Sequence, residues 1–536
     1  MQRGRSLSKE DIQEPLLIDS PGRWRRWSHH VCAHPDLYFL LFCLTHLICW
    51  TLVPALVQPN AHLDVLECLA WGKEWQWGYH KHPPLHAWVT EVFFMPFGKS
   101  IWPGFLLSQL CIVLTFTAVW RYMAPHLGKL KALLSILLLE GIYYYNFTSP
   151  EFNSNVSLLP LWAWTAYVFF RALKRESLLH WAVFGVMMGL CVLSKYASFV
   201  LGAVFAAYML MTPHGRSWLK RPGPYLSVVL FILVILPHVK WVLAHEGQTL
   251  MYLAGRSGSE ALQWWDRFIF PVDFVLAQAM ALLPMIFLLL AFYKKLQLKD
   301  NPFVSFIEGG KVQPWEQRLL QFLAFGPLVI TFLLSFCFNM RLRSMWGTPF
   351  FTFLPAYLIC VFLSRDIRGQ LAVFLRRFVS VFIVGLMAYA GMTYGQPYLM
   401  KRAKRVHFPG QACALIITQE WHKYTHQTLS YVIGDIWEAG NVGFYSPDRP
   451  AVVIDGQLSL SPWVEPTQLR EAGAVIVWTA SNEQEGIPEA LRQRYPRALV
   501  QPVIRINYQT GAPLGPALIG WAIIPPRSSG RDFLEI

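Results

Sequence analysis

Charge is scarce in this chain. Of its 536 residues only 15% are Asp, Glu, Lys or Arg, against 54% that are hydrophobic. A soluble domain carries roughly a quarter of charged residues, so an ordinary soluble enzyme is excluded. Paired cysteines are also missing. The nine cysteines are scattered and form no CxxC pair, which excludes a disulfide framework and leaves them as small apolar residues. No cleavable signal peptide is visible, because the first apolar run starts near residue 37 and is long enough to stay as an anchor. Short-period repeats and low-complexity segments are lacking as well. The net charge of +14 could point to nucleic acid. Much of it lies in short loops between apolar runs, where membrane topology explains it, so no nucleic-acid partner is expected.

What the chain does have is long apolar runs such as "LYFLLFCLTHLICWTLVPALV" (38–58). As a helix, about twenty such residues cover the roughly 30 Å hydrocarbon core of a bilayer. The runs predict about eleven spans, near 37–57, 101–120, 132–147, 156–172, 179–194, 196–212, 224–243, 268–293, 319–339, 348–364 and 372–397. Arg3, Arg5, Lys9, Arg23, Arg25 and Arg26 make the first 36 residues basic, and every second loop after them is basic too. That alternation predicts a cytoplasmic N-terminal tail and puts 58–100, 148–155, 244–267, 340–347 and the C-terminal part on the far side. From about 398 to 536 short apolar pieces such as "YVIGDI", "AVVIDG" and "GAVIVWT" alternate with polar stretches and turns. They predict a soluble α/β domain outside the membrane. The expected fold is thus a polytopic α-helical membrane protein: a tail (1–36), a transmembrane domain (37–397) and a C-terminal domain (398–536).

The loop at 58–100 contains "HLDVLECLAWGKEWQWGYHKHPPLHAWV". Asp64 and Glu67 are three apart, which puts them on one face of a helix. The apolar and Trp positions around them suit an amphipathic helix lying in the interface, with tryptophans at headgroup depth. Gly78 can end it, and Pro83 and Pro84 force an extended backbone beyond. On spacing alone, a solvated interfacial helix without chemistry is the bland account. A zinc site from His80, His82 and His86 is another, but their spacing across Pro-Pro fits no standard motif.

These residues resemble the GT-C class of polyprenyl-phosphate-dependent glycosyltransferases. The nearer kin are the bacterial protein O-mannosyltransferase-like enzymes, including the lipid A aminoarabinose transferase and lipopolysaccharide galacturonosyltransferase families. The pattern is an acidic residue after the first span, a second close behind, then "GY…PPL…W"; here it reads Asp64, Glu67, "GYHKHPPLHAW". "SPEFNSNVSLLPLWAW", "SKYAS", "PHVKWV" and "VIGDIWEAGNVGFYSPDRP" resemble later family segments. This chain departs from the aminoarabinose relatives in one place. They have Lys directly before Pro-Pro, whereas here His82 stands there and Lys81 is one earlier.

The resemblance implies transfer of a sugar from a lipid-linked phosphate to an acceptor hydroxyl, with inversion. A phosphate leaving group needs no dedicated general acid, but it needs cations, and the acceptor needs one carboxylate as base. Asp64 is the expected base. Glu67 and His82 are expected to meet the acceptor or a cation. Lys81, Lys195, Tyr196, Arg341 and Arg343 are expected at the donor phosphate. Tyr79, Asn153, Asn155, His238 and Arg256 are further candidates, and Arg267 is a weaker one. For several of these a structural account competes: Lys195 as a snorkelling residue, Arg341 and Arg343 as span flanks, the asparagines as caps. No cofactor is required, although a divalent metal on Asp64 and Glu67 stays open. Glu140, inside an apolar run, is left unassigned. The expected partners are a polyprenyl-phosphate-linked sugar, membrane lipids and a glycolipid or other envelope acceptor at the bacterial inner membrane. The competing class is a lipid-linked sugar transporter or flippase. It lacks support from any repeat relating two halves or any pair of Gly/Pro-broken helices.

Overall fold

A computed structural model describes residues 22–258, 263–295, 313–362 and 368–526. Arg3, Arg5, Lys9, much of the basic loop near 294–300 and residues 527–536 lie outside the described residues. Six described helices are long and apolar enough to cross a membrane: Pro35–Val57, Trp102–Leu127, Ser154–Arg175, Pro222–Ala244, Pro314–Phe338 and Gly369–Met400. The pair Asp266–Ala281 and Leu283–Phe292, bent by 51°, makes a seventh if it is one span. The expected count of eleven is therefore not carried by long helices. The runs at 132–147 and 348–364 contain helices of only 11 and 9 residues, Lys129–Leu139 and Leu354–Phe362. At 1.5 Å per residue each is about half a bilayer long. Apolar runs measure burial as well as lipid contact, and the first of these helices is buried along nearly its whole length.

The bundle packs around one apolar core that includes Phe116, Leu134, Trp162, Phe169 and Phe205. Helices Leu178–Ser194 and Pro222–Ala244 approach closely at Gly185, where a Cβ would come within 2.3 Å of the Ser227 carbonyl oxygen. Asn153 starts the helix Ser154–Arg175 by accepting from the backbone N–H groups of Asn155 (2.9 Å) and Val156 (3.2 Å). After Ser194 the chain breaks before the helix Ser198–Met211, and Lys195 sits extended at that break.

Beyond the last long helix lies a six-stranded mixed sheet, in the order β2-β1-β3-β6-β4, with β5 also on β6. Strands β1 (Tyr431–Gly434), β2 (Ala451–Ile454) and β3 (Ala474–Thr479) run parallel. Strands β4 (Leu499–Val500), β5 (Ile504–Ile506) and β6 (Ala517–Ile524) complete it, with β6 antiparallel to β3, β4 and β5. Its core is continuous with the loop after the first long helix: Val65, Leu66, Trp71, Tyr79 and Phe94 share a cluster with Ile417, Trp437, Val452 and Trp521. Glu91 accepts two hydrogen bonds from Arg449, both 3.0 Å, and Lys99 donates to the carbonyl of Phe444 at 2.8 Å. The loop helix Leu63–Gly72 is accordingly not an interfacial helix with one wet face. Residues Val65 to Gly72 are all buried, Trp71 completely, because the C-terminal sheet unit covers what lipid or water would otherwise meet. Only Trp75 and Trp77 stay exposed. A close approach of Leu63–Gly72 to Leu85–Phe94 needs Gly72, whose Cβ would lie 2.4 Å from the Ala87 carbonyl oxygen.

Candidate active site

Asp64 lies in the first turn of Leu63–Gly72, half-buried, where the helix N-terminus favours a negative charge. Burial raises its pKa to about 6, and the nearby Glu151 carboxylate adds to that, while His62, Lys195 and Lys81 pull the other way. The Glu151 carboxylate lies 3.7 Å from His62 Nδ1, two residues before Asp64. Burial holds Glu151 above the usual carboxylate range, against the Asp64 backbone N–H and the Arg405 charge. The Glu151 charge thus acts on Asp64. Sequence reasoning selected only Asp64 of the two, although Glu151 stands inside the quoted "SPEFNSN".

Glu67, 7% exposed, is held 2.5 Å from the Lys81 ammonium. Burial raises Glu67 to about 7, offset in part by Lys81. Lys81 is above its ordinary value: burial works against its charge, and the Glu67 carboxylate outweighs burial. Each of the two is therefore engaged by the other. Lys195, 8% exposed, donates to the Asn155 side-chain oxygen. Burial lowers Lys195 to about 8, Asp64 raises it and Arg256 lowers it further. Asp64, Lys195 and Arg256 consequently sense one another across the site.

Arg256 lies over the Tyr252 ring at 5.9 Å. The neighbouring Ser257 carbonyl accepts the Arg341 backbone N–H at 2.7 Å, which brings the 341–343 segment alongside Arg256. Arg341 is exposed, and the half-buried Arg343 leaves its buried Nε without a hydrogen-bond partner. Arg405 and Lys404, just past the last long helix, act on Glu151 and His62 respectively; these cations were not singled out from sequence. Arg267 lies in the first turn of the helix Asp266–Ala281.

The other candidates hold structure together. Tyr79 is fully buried, stacked on Trp71 at 5.0 Å, and donates its hydroxyl to the Trp71 carbonyl at 2.8 Å. Its phenol is not available to a ligand. His238 bridges the Tyr196 hydroxyl (2.7 Å) and the Trp77 carbonyl (2.6 Å), so it ties the bundle to the 58–100 loop. His80, His82 and His86 surround Trp71 within 6.4 Å. Burial depresses all three, His80 and His86 to about 3, which leaves neutral imidazoles at pH 7. Among the described residues no group of three or more His, Cys, Asp or Glu is placed to hold a metal ion. Glu67 is engaged by Lys81, so a divalent ion on Asp64 and Glu67 would compete with that ammonium.

The bundle and the sheet unit share the fold of ArnT from Cupriavidus metallidurans, solved bound to undecaprenyl phosphate. The TM-score is 0.57 at 14% identity, over 91% of this chain and 97% of that one. Residues 81–241 match the model of the dolichyl-phosphate-mannose-protein mannosyltransferase family, a segment that includes Glu151, Lys195 and His238. The chain is 21% identical over 437 residues to the lipopolysaccharide core galacturonosyltransferase RgtA of Rhizobium johnstonii, covering 79% of this chain and 82% of that protein. It is 24% identical over 195 residues to the lipid A galacturonosyltransferase RgtD of the same organism, over 35% of this chain and 40% of the other. In sequence and in fold the chain therefore resembles the GT-C glycosyltransferases.

Proposed function

We propose that the chain is an inverting glycosyltransferase that moves a sugar from a polyprenyl-phosphate donor to a hydroxyl or phosphate of an envelope glycolipid. The reaction takes place at the outer face of the bacterial inner membrane. The observation that carries this is Asp64: a half-buried carboxylate whose pKa is raised to about 6, beside the buried Lys195 ammonium. A base with that pKa is ionised at pH 7 yet still basic enough to take a proton. For a hydroxyl acceptor, Asp64 removes the proton as the oxygen bonds to the anomeric carbon from the face opposite the phosphate. The bond from that carbon to the phosphate oxygen breaks, and its electron pair leaves on the phosphate. Lys195, Arg256, Arg341 and Arg343 supply the positive charge that the departing phosphate needs. Glu67 holds Lys81, and the pair shapes the wall of the site beside Asp64. The loop 58–100 and the residues after 398 act together as an outer cap over the bundle, because they share one apolar core. The named activities of the two Rhizobium relatives make a hexuronic acid the first sugar to try and lipid A or lipopolysaccharide core the first acceptor.

The test uses the purified full chain in nanodiscs, supplied with polyprenyl-phosphate sugars and lipid A or core lipopolysaccharide, with mass spectrometry of the acceptor. Sugar addition by the wild type and its loss in Asp64→Asn support the proposal. No addition to any acceptor from any polyprenyl-phosphate donor overturns it.

A further inference from the structure

Deep in the bundle is a closed ring of buried polar groups that the reaction does not use. Glu140, 1% exposed, follows the helix Lys129–Leu139. His46 Nδ1 lies 2.7 Å from one of its carboxylate oxygens, an ion-pair contact without hydrogen-bond geometry, and the Trp50 indole donates to the other at 3.1 Å. The opposite ring nitrogen, His46 Nε2, lies 2.9 Å from Gln109 Oε1. The Gln109 amide donates to Ser149 Oγ at 3.2 Å, and Ser149 donates to the Asn146 carbonyl at 2.8 Å. Asn146 closes the ring by donating its side-chain N–H to the Glu140 carbonyl. His46, Gln109 and Ser149 are all fully buried.

The ring spans three long-range elements: Pro35–Val57, Trp102–Leu127 and the segment after Glu140. That segment has one short 3-10 turn, Tyr143–Tyr145, and then no regular structure until Ser154. Its path therefore depends on side-chain bonds rather than on a backbone ladder. Ser108, next to Gln109, adds a bond to the Pro150 carbonyl at 3.4 Å. The residue after Pro150 is Glu151, whose carboxylate lies 3.7 Å from His62 Nδ1, two residues before Asp64. Burying a carboxylate and an imidazole in a membrane bundle is costly unless they are paired and hydrogen-bonded, so such a ring implies a task.

We propose that His46, Gln109 and Glu140 are positioning residues, which fix the 146–151 segment so that Glu151 is held against Asp64. This rests on the glycosyltransferase reading, but its physical core, an anchored segment, is separable from activity. The groups facing Asp64 are Glu151, His62, Lys195 and Lys81, with Glu67 and Cys68 from its own helix. Those facing Glu151 are His62, Arg405 and the Tyr389 phenol. Of the charges on Asp64, only that of Glu151 is carried by the anchored segment and raises Asp64, so releasing the segment lets the Asp64 pKa fall.

Gln109→Leu and Ser149→Ala, with Glu151→Gln for comparison, test this in nanodiscs. Amide hydrogen exchange over 146–151 should speed up in Gln109→Leu relative to wild type, with the rest of the bundle unchanged. A misplaced reacting group can cost up to about 100-fold. The expected loss is therefore about 10- to 100-fold in kcat, with the donor KM changed less than about threefold. The acid limb of the pH–rate profile should move to lower pH, as in Glu151→Gln. Gln109→Leu placed on Glu151→Gln should give no further limb shift. Unchanged exchange over 146–151 overturns the proposal whether or not transfer is detected. A loss of kcat without a limb shift, or fully additive shifts in the double variant, overturns it too. If the wild type transfers nothing, the glycosyltransferase reading fails, and the exchange result alone decides whether the ring anchors the segment.

Discussion

Asp64→Asn separates catalysis from folding because the two should move in opposite directions. The substitution is nearly isosteric and removes the carboxylate proposed to take the acceptor proton, so turnover should fall by about 10²–10⁴, the usual worth of a general base. The same carboxylate strains the fold. Its folded pKa is raised, by burial first and then by Glu151, from 3.8 to about 6. Between those values the folded state binds more protons than the unfolded one, so stability falls as pH rises through that window. Above about pH 6 the full cost of the buried charge is present, and below about pH 4 it is gone. Asp64→Asn should therefore raise the melting temperature at pH 7.5 and leave it nearly unchanged at pH 4. In the wild type, the rate should drop about tenfold per pH unit below pH 6. Transfer assays and thermal unfolding in the same nanodiscs, at both pH values, check all three. A variant that keeps near-normal turnover refutes Asp64 as base, and one that loses activity and melting temperature together at pH 7.5 refutes the electrostatic argument.

Lys195→Ala should weaken donor binding and slow transfer by roughly 10- to 150-fold, the worth of one charge-assisted contact. Lys195→Arg should not rescue fully, since a planar fork does not replace a point charge in a tight site; titration with polyprenyl phosphate reads both. Glu67→Gln should lower the Lys81 pKa by removing its carboxylate partner, and the alkaline limb of the pH–rate profile should move to lower pH if that charge serves the reaction. Arg449→Met leaves the buried Glu91 unpaired and should cost about 1–3 kcal/mol, discounted because Arg449 is half-exposed, read as a lower melting temperature and faster proteolysis after residue 400. Cysteines placed near 255 and within 400–526 should label from outside the cell while one near 175 should not; outside labelling at 175 overturns the orientation.

How legible the site was depends on how local each signal is. Asp64, Glu67 and Lys81 fall within eighteen residues, and the pattern that contains them reads as one motif. Lys195 is marked by position, since a lysine between two apolar runs is conspicuous anywhere. Glu151 carries no such mark. It comes next to Asp64 through the path of the 140–153 segment, where Ser149 is bonded by Gln109, itself bonded to His46, both from other parts of the chain. Arg405 and Lys404 were read over as the edge of a domain, because nothing in their neighbourhood shows that the chain turns back there toward Glu151.

The number of spans is less legible for a related reason. Hydropathy cannot tell a residue facing lipid from one facing protein, so the buried helix Lys129–Leu139 reads like a span although it is only 11 residues long. The amphipathic reading of 63–77 failed in the opposite direction. Trp71 was assigned to the headgroup region because tryptophans gather there, but it is fully buried under the sheet unit, and only Trp75 and Trp77 are exposed. The helix Lys129–Leu139 is shielded by the rest of the bundle, and Trp71 by the C-terminal unit. Once the residues after 398 fold back onto the loop that follows the first long helix, apolar side chains there are shielded by protein rather than by lipid, and the carboxylates beside them lose water. The desolvation that raises Asp64 and Glu67 is thus partly the work of a unit whose sequence contains none of the groups proposed to carry out the transfer. Loosening that unit at Arg449 should let water reach both carboxylates and lower their pKa values without touching either residue. An acid limb that stays near pH 6 in Arg449→Met, with the sheet unit shown by proteolysis to be loosened, would mean that the bundle alone sets the desolvation.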